Sequence, residues 1–473
     1  NNRLLPFYQL KYKTKRYTLK GGFLMAKEIN NDTIAKFEND LINHPVFNVA
    51  SHAAQENGIY KASQNLQTKI DLDPTFSIEI DTGKPADQKQ SGRCWMFSAL
   101  NTMRHPLQKK FKLKDFELSQ NYTNFWDKFE KSNWFFENVI ATADKDLGDR
   151  KVSFLFTTPQ QDGGQWDMLC GIIEKYGIVP KSVYPETANA TNSSALNDTL
   201  NTLLRKDGLE LRRLVNAGKS EDEVQARKEE MLNDVFRVLA ISLGVPPKKF
   251  NFEYRDDDHN YHIDKDITPK EFFDKYVGID LANHISTINA PTSDKPFHKV
   301  FSVEYLGNVE GGRQVRHLNL KVDEMKDLII KQLKSGEVVW FGSNVVKDSE
   351  RRAGLLDTNL YRRDQLFDVD FSMSKADKLD SGESMMDHAM VITGVDIVDG
   401  KPTKWKIENS WGEKPGFKGY FVMSDSWFNS FVYQAVINKD ILPEDLKKAY
   451  DEGKDNPIQL LPWDPMGALA FKY

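Results

Sequence analysis

A stripe of apolar residues at helical spacing, led by a cysteine, constrains this chain more than any other feature. Behind Gln88-Lys89-Gln90-Ser91-Gly92-Arg93-Cys94, the residues Met96, Leu100, Met103, Leu107 and Phe111 recur at spacings of four, three, four and four. That period belongs to an amphipathic helix with one face against a core. It places Cys94, one of only two cysteines in 473 residues, at the helix N-terminus. The unpaired N–H groups and the positive end of the helix dipole favour an anion there. A thiol so placed ionises more readily than at its usual pKa of about 8.5, and the thiolate is the nucleophilic form. Ser91-Gly92 permits a tight turn just ahead of the sulfur. Gln88, six residues upstream, is a candidate to aim its side-chain amide at the same spot and, with the Cys94 backbone N–H, to bind a developing oxyanion. The same pattern also suits a buried small hydrophobe, the usual condition of a free cysteine, so the stripe alone leaves both readings open.

The length accommodates two or three domain-sized units around a large core. Hydrophobic residues make up 40% and charged residues 28% of the chain. No apolar run approaches the roughly 20 residues that span a bilayer, so no membrane association is expected. The net charge of −5 gives no general attraction to nucleic acid. Two cysteines cannot build a disulfide framework, and a reactive thiol survives best under reducing conditions, so the expected location is the cytoplasm. Residues 1–24 stand apart. Arg3, Lys11, Lys13, Lys15, Arg16 and Lys20, interleaved with Tyr8, Tyr12 and Tyr17, make them basic, and they lack the apolar core of a secretory signal. Met25-Ala26-Lys27-Glu28 reads as a natural start, which leaves 1–24 as an artificial leader or an upstream start.

Residues 25–183 are read as an N-terminal segment, helical from Ile34 to Lys69, followed by a connection over Asp71–Lys84 and a helical lobe carrying the cysteine. Within that lobe Gly163-Gly164 allows close backbone approach, and Trp166, Leu169, Cys170 and Ile173 mark a helix stopped by Gly177 and Pro180. Cys170 falls on the apolar face and is expected to be core. Residues 184–300 are read as a helical insertion, with capping boxes at Ser220-Glu221-Asp222-Glu223 and Thr268-Pro269-Lys270-Glu271. The run Asp256-Asp257-Asp258-His259-Asn260-Tyr261-His262 lacks the glycine of a calcium loop and the cysteines of a zinc pair, and is read as a solvated loop; no metal site is expected. Residues 301–440 form a β lobe, and 441–473 a C-terminal arm.

A base for the thiol must come from nine histidines. His105 shares the Cys94 helix, but eleven residues at about 1.5 Å each put it roughly 16 Å away. His388 opens a strand pattern that, with Lys404–Trp411, flanks the two-residue hairpin signal Asp399-Gly400. If that pair is the whole turn, His388 faces Trp411, and Asn409 lies diagonally beside it on the same face. Asn409 can then orient the imidazole while Trp411 screens their hydrogen bond. A three-residue loop would send Asn409 to the other face, and a strand histidine is otherwise commonly structural.

Four segments in order carry a resemblance. Gln88-x-x-Ser91-Gly92-x-Cys94-Trp95-x-Phe97, Asp162-Gly163-Gly164-Gln165-Trp166, Asp387-His388-Ala389-Met390-Val391-Ile392-Thr393-Gly394 and Asn409-Ser410-Trp411-Gly412 through Tyr420 resemble the corresponding segments of papain-like cysteine peptidases. The long insertion and the ending Pro462-Trp463-Asp464-Pro465-Met466-Gly467-Ala468-Leu469-Ala470 are similar to the bleomycin hydrolase and bacterial aminopeptidase C branch. The resemblance implies an α+β, papain-like two-lobed fold, with a helical lobe, an antiparallel barrel-like β lobe, a helical insertion and a C-terminal arm. It implies a thiol aminopeptidase acting through a cysteine acyl-enzyme on peptides with a free N-terminus. Cys94, His388, Asn409 and Gln88 are then catalytic, and Gly163, Gly164 and Trp411 bind substrate. No metal or organic cofactor is called for. The family forms a homohexameric ring, and its terminal carboxylate, here that of Tyr473, pairs with the substrate α-ammonium. Phe471-Lys472-Tyr473 extends past the family ending, which leaves open which carboxylate docks. The alternatives are a papain-like endopeptidase, a Cys/His acyltransferase, or a nucleic-acid-binding ring. Only Lys109-Lys110-Phe111-Lys112-Leu113-Lys114, Lys248-Lys249 and the basic leader favour the last, so nucleic acid is not an expected partner. The chemistry requires an imidazole, delivered from the β lobe, to hold the sulfur ionised.

Overall fold

The stripe behind Cys94 forms a helix over Cys94–Phe111, with Met96, Leu100, Met103 and Leu107 buried. The structure is a computed structural model and describes residues 28–467. The leader 1–24 and Tyr473 lie outside them. The described residues form two compact units, 28–64 with Arg362–Asp370, and Asn65–Tyr361 with 371–467.

In the first unit the expected helical character appears as the helices Asn31–Ile42, Pro45–Asn57 and Ile59–Ala62, with Arg363–Phe367 beside them. Asn30 caps the first by accepting the Thr33 N–H at 2.9 Å. None of these helices holds a buried residue, and Phe37, Leu41, Ile42, Val46 and Val49 are exposed.

In the second unit the Cys94–Phe111 helix packs against Gln120–Ala141, Trp166–Tyr176 and the strand His388–Val398. Trp166–Tyr176 ends at Gly177, and Cys170 is core. Both capping boxes form, at Ser220 before the helix Glu221–Leu243 and at Thr268 before Pro269–Phe272. The strands Val432–Asn438, Val339–Ser343, His388–Val398, Lys401–Glu408 and Tyr420–Ser424 are successive antiparallel neighbours at the centre of a twelve-stranded sheet. Parallel pairs occur further out, such as Ile458–Leu460 on Val300–Val303.

Two stretches differ from the sequence reading. The connection over Asp71–Lys84 contains a two-residue strand, Ile78–Glu79, that adds to the sheet at Val395 and Gly394. The stretch read as helices and polar loops also holds a hairpin of Phe250–Arg255 and Tyr261–Ile267, and the strand His284–Ile288 of the large sheet. The alternation Phe250, Phe252, Tyr254 is the period-2 signal for the former. Asp256 to Asn260 make the hairpin's turn, while Tyr261 and His262, read with them as a loop, begin the second strand; His262 Nε2 lies 3.0 Å from Asp256 Oδ2. Among the described residues no cluster of His, Cys, Asp or Glu could hold a metal ion, and no helix is long and apolar enough to cross a membrane.

The hairpin that delivers the histidine turns at Asp399 (φ 51°) and Gly400 (φ 76°), the two positive values that a type I′ turn requires. Its ladder is not regular. One extra residue, Thr403, bulges from the second strand and one, Thr393, from the first, so the register slips and is then restored at Val391–Glu408.

Candidate active site

The strand end at His388 and the helix start at Cys94 meet. The Ala389 N–H points at Cys94 Sγ at 3.5 Å, and Ser98 Oγ, one turn along the helix, donates to the Ala389 carbonyl at 2.9 Å. His388 Nε2 lies 2.9 Å from Asn409 Oδ1. An amide oxygen accepts, so Nε2 carries the proton and Nδ1 is left as the basic nitrogen. The Trp411 ring covers this bond, its centroid 4.8 Å from that of the imidazole. The restored hairpin register thus brings His388, Asn409 and Trp411 together, as expected from the turn.

A buried ion pair aligns the two elements further back. Glu408, next to Asn409, accepts from Asn101 at 2.9 Å and from Arg104 at 3.1 Å, both on the nucleophile helix, and from Thr82 at 2.5 Å. The Trp340 indole adds a bond to the Trp95 carbonyl at 3.0 Å. None of these partners is visible from local pattern, because each spans more than two hundred residues or joins a polar side chain to a distant one.

Gln88 is buried beside this cluster. Its Oε1 accepts the Ser410 hydroxyl at 2.6 Å, its Nε2 donates to the Ser91 carbonyl at 2.6 Å, and its backbone N–H bonds the Ser410 carbonyl at 2.8 Å. The amide is therefore held by the residue after Asn409 and by the turn that precedes Cys94. Arg93, fully buried, forks onto Glu186 at 2.6 and 3.1 Å and fixes the residue just before the nucleophile.

Gly164 lies against the face of Trp95, and a Cβ there would come within 2.6 Å of the indole, so only glycine fits. The Gly163 carbonyl accepts the Lys131 ammonium at 2.6 Å. A cavity of about 910 Å³ is lined by Lys131, Gln161, Met168, Met385 and the segment Ile458–Gly467, with Cys94, His388, Gly163 and Gly164 outside its lining.

Burial works against the ionised sulfur expected from the sequence. Cys94 is only 1% exposed, and burial pushes its thiol up to about 12 against the opposing backbone N–H groups of Ala389, Trp95 and Cys94. Burial likewise lowers His388 to about 4, the Asn409 bond acting against it. Desolvation of each group thus opposes its charged form, against the pull of the helix end on the thiolate.

With that geometry in hand, comparison with known proteins gives a consistent result. The model of the Peptidase C1-like family matches residues 28–467. The chain belongs to this family. It is 97% identical to an Aminopeptidase C of Lactobacillus helveticus over 449 residues, 95% of this chain and 100% of the other. An Aminopeptidase C of Streptococcus thermophilus is 52% identical over 445 residues, 94% of this chain and 99% of that one. The crystal structure of PepW from Lactobacillus rhamnosis HN001 superposes with a TM-score of 0.93 at 60% identity, covering 94% of this chain and 100% of that one. The fold of the Peptidase C1-like chain is accordingly papain-like and α+β.

Proposed function

We propose that Cys94 is the nucleophile, His388 its base, Asn409 the residue that orients the base, and Gln88 with the Cys94 N–H the oxyanion site. The chain is a cysteine-type aminopeptidase, a hydrolase of peptide bonds, as its relatives' shared name of Aminopeptidase C indicates. The single observation that carries the residue roles is the pairing of the His388–Asn409 bond with the contact of Cys94 Sγ to the Ala389 N–H.

His388 Nδ1 takes the thiol proton as sulfur bonds to the scissile carbonyl carbon, and the carbonyl oxygen gathers negative charge. Collapse of that adduct breaks the C–N bond while His388 returns the proton to the leaving amine. Water then attacks the thioester, giving its proton to His388, which passes it to the departing sulfur. Each step uses side chains, backbone N–H groups and water.

Substrate enters as an extended peptide along Gly164. The Gly163 carbonyl is already taken by Lys131, so we assign the backbone contacts chiefly to Gly164, with Gly163 shaping the approach. Trp411 screens the imidazole and walls the cleft. Restriction to free N-termini follows from the C-terminal arm, whose terminal carboxylate, that of Tyr473 unless the end is trimmed, meets the α-ammonium. Support comes from Ile458–Gly467, which line one cavity together with Lys131 and Gln161, and Lys131 bonds the Gly163 carbonyl. We also assign a homohexamer in the cytoplasm. The exposed apolar residues on the helices of the first unit support self-association, and the two unpaired cysteines support a reducing compartment.

Replacing Cys94 by Ala is expected to abolish release of N-terminal residues, measured on matched peptides with free and acetylated N-termini. Turnover in that variant would remove Cys94 from its role. Equal cleavage of both peptides by the native enzyme would remove the exopeptidase assignment.

A further inference from the structure

Beneath Gly163 and Gly164 lies a set of buried charges that the reaction does not use. The helix Gln120–Ala141 presents Asp127, Lys128 and Lys131 to residues 160–163, all three side chains being buried. Lys131 Nζ bonds Asp127 Oδ2 at 2.7 Å and the carbonyls of Gln161 and Gly163 at 3.2 and 2.6 Å. Lys128 Nζ bonds Asp162 Oδ1 at 2.9 Å.

Asp162 is the hub of this set. Its Oδ1 also accepts Asn197 Nδ2 at 2.9 Å, and its Oδ2 accepts the Gly92 N–H at 2.8 Å together with the Ser193 hydroxyl. Its own backbone carbonyl takes the Trp95 indole N–H at 2.6 Å. Gly92 and Trp95 bracket Cys94, so both flanks of the nucleophile hang on one residue, and the next residue in the chain is Gly163. Burial would push this carboxyl up, but Lys128 and the hydrogen bonds from Ser193, Gly92 and Asn197 hold it well below the usual range. It is therefore a permanent anionic acceptor.

Resting on Cys94 as the nucleophile, we propose that Asp162 is a positioning residue for the reaction: it sets the distance between the sulfur and a peptide lying along Gly164. The side chain fixes where the helix begins, through Gly92, and the main chain fixes Trp95, whose ring in turn lies against Gly164. A shift of about 1 Å between nucleophile and carbonyl costs about 100-fold in rate, whereas binding depends on contacts spread along the peptide.

The test is Asp162→Asn in the full-length enzyme. Lys128 draws the amide oxygen to itself and turns the NH₂ onto the Gly92 N–H, which breaks the clamp at nearly constant volume. The expected result is a fall in kcat, per active site titrated with an irreversible thiol reagent, of about 10- to 100-fold. KM for the peptide and the rate at which iodoacetamide alkylates Cys94 should each stay within about threefold, since neither depends on the sulfur-to-carbonyl distance. Asn197→Ala removes a donor from the far oxygen and leaves Gly92 bonded, so it is expected to lower Tm with kcat within about twofold of native. Native kcat in Asp162→Asn would overturn the assignment. So would a parallel loss of alkylation, which would mean damage to the thiol itself, or an equal loss of kcat in Asn197→Ala. Failure of Cys94 as nucleophile would show separately, as turnover in Cys94→Ala.

Discussion

Asp387 sits one residue before the imidazole, 5% exposed, with Oδ1 accepting the Val345 N–H at 2.8 Å and Oδ2 buried without a partner. Burial pushes its carboxyl up to about 6 from 3.8. A carboxyl raised in the fold contributes stability below its unfolded pKa and loses it as pH rises through the folded value, here between about 4 and 6, a swing of about 3 kcal/mol. Asp387→Asn removes that loss, so the variant's Tm relative to native should climb from pH 4 to pH 7, as thermal melts at matched ionic strength would record. His388 runs the other way. Its lowered folded pKa contributes stability above about 6.5 that disappears as pH falls through about 4. These shifts were beyond sequence reasoning for the same reason that the ionised thiol was. The helix position of Cys94 was legible, but the burial that opposes its ionisation is a property of the packed molecule.

At the level of elements, the nucleophile helix and the hairpin were readable because each has a local signature, an apolar period in one and Asp399-Gly400 in the other. The agreement at His388 and Trp411 also owes something to compensation. Thr393 and Thr403 each add a residue, on opposite strands, and no residue pattern announces either bulge. The strand Ile78–Glu79 is too short for alternation to mark it, whereas Phe250, Phe252 and Tyr254 did alternate within a stretch read as helical. What joins helix to hairpin is the Arg104–Glu408 pair, with both side chains almost wholly buried. Removing one partner of such a pair costs about 3–5 kcal/mol because it strands the other charge. Glu408→Gln should therefore lower Tm markedly, and the double change Arg104→Met, Glu408→Leu should recover much of the loss. Differential scanning calorimetry of the three proteins provides the comparison.

Across the whole molecule, order of segments was the most legible property, since the four motif segments fall in sequence from Gln88 to Tyr420. Least legible was what the first unit is for. Its helices are amphipathic, yet Phe37, Leu41, Val46 and Val49 remain exposed in the single chain. If they meet other copies, Phe37→Asp with Leu41→Asp should yield a smaller species than the native chain by sedimentation velocity, while an unchanged species would place any contacts elsewhere.

The covered position of Cys94 carries a consequence for the life of the enzyme. Oxidants such as peroxide react fastest with exposed thiolates, and a sulfur that is 1% exposed is a poor target for them. Cys94 should therefore lose its thiol to peroxide more slowly than a fully exposed cysteine, as counting the remaining thiol over time would record.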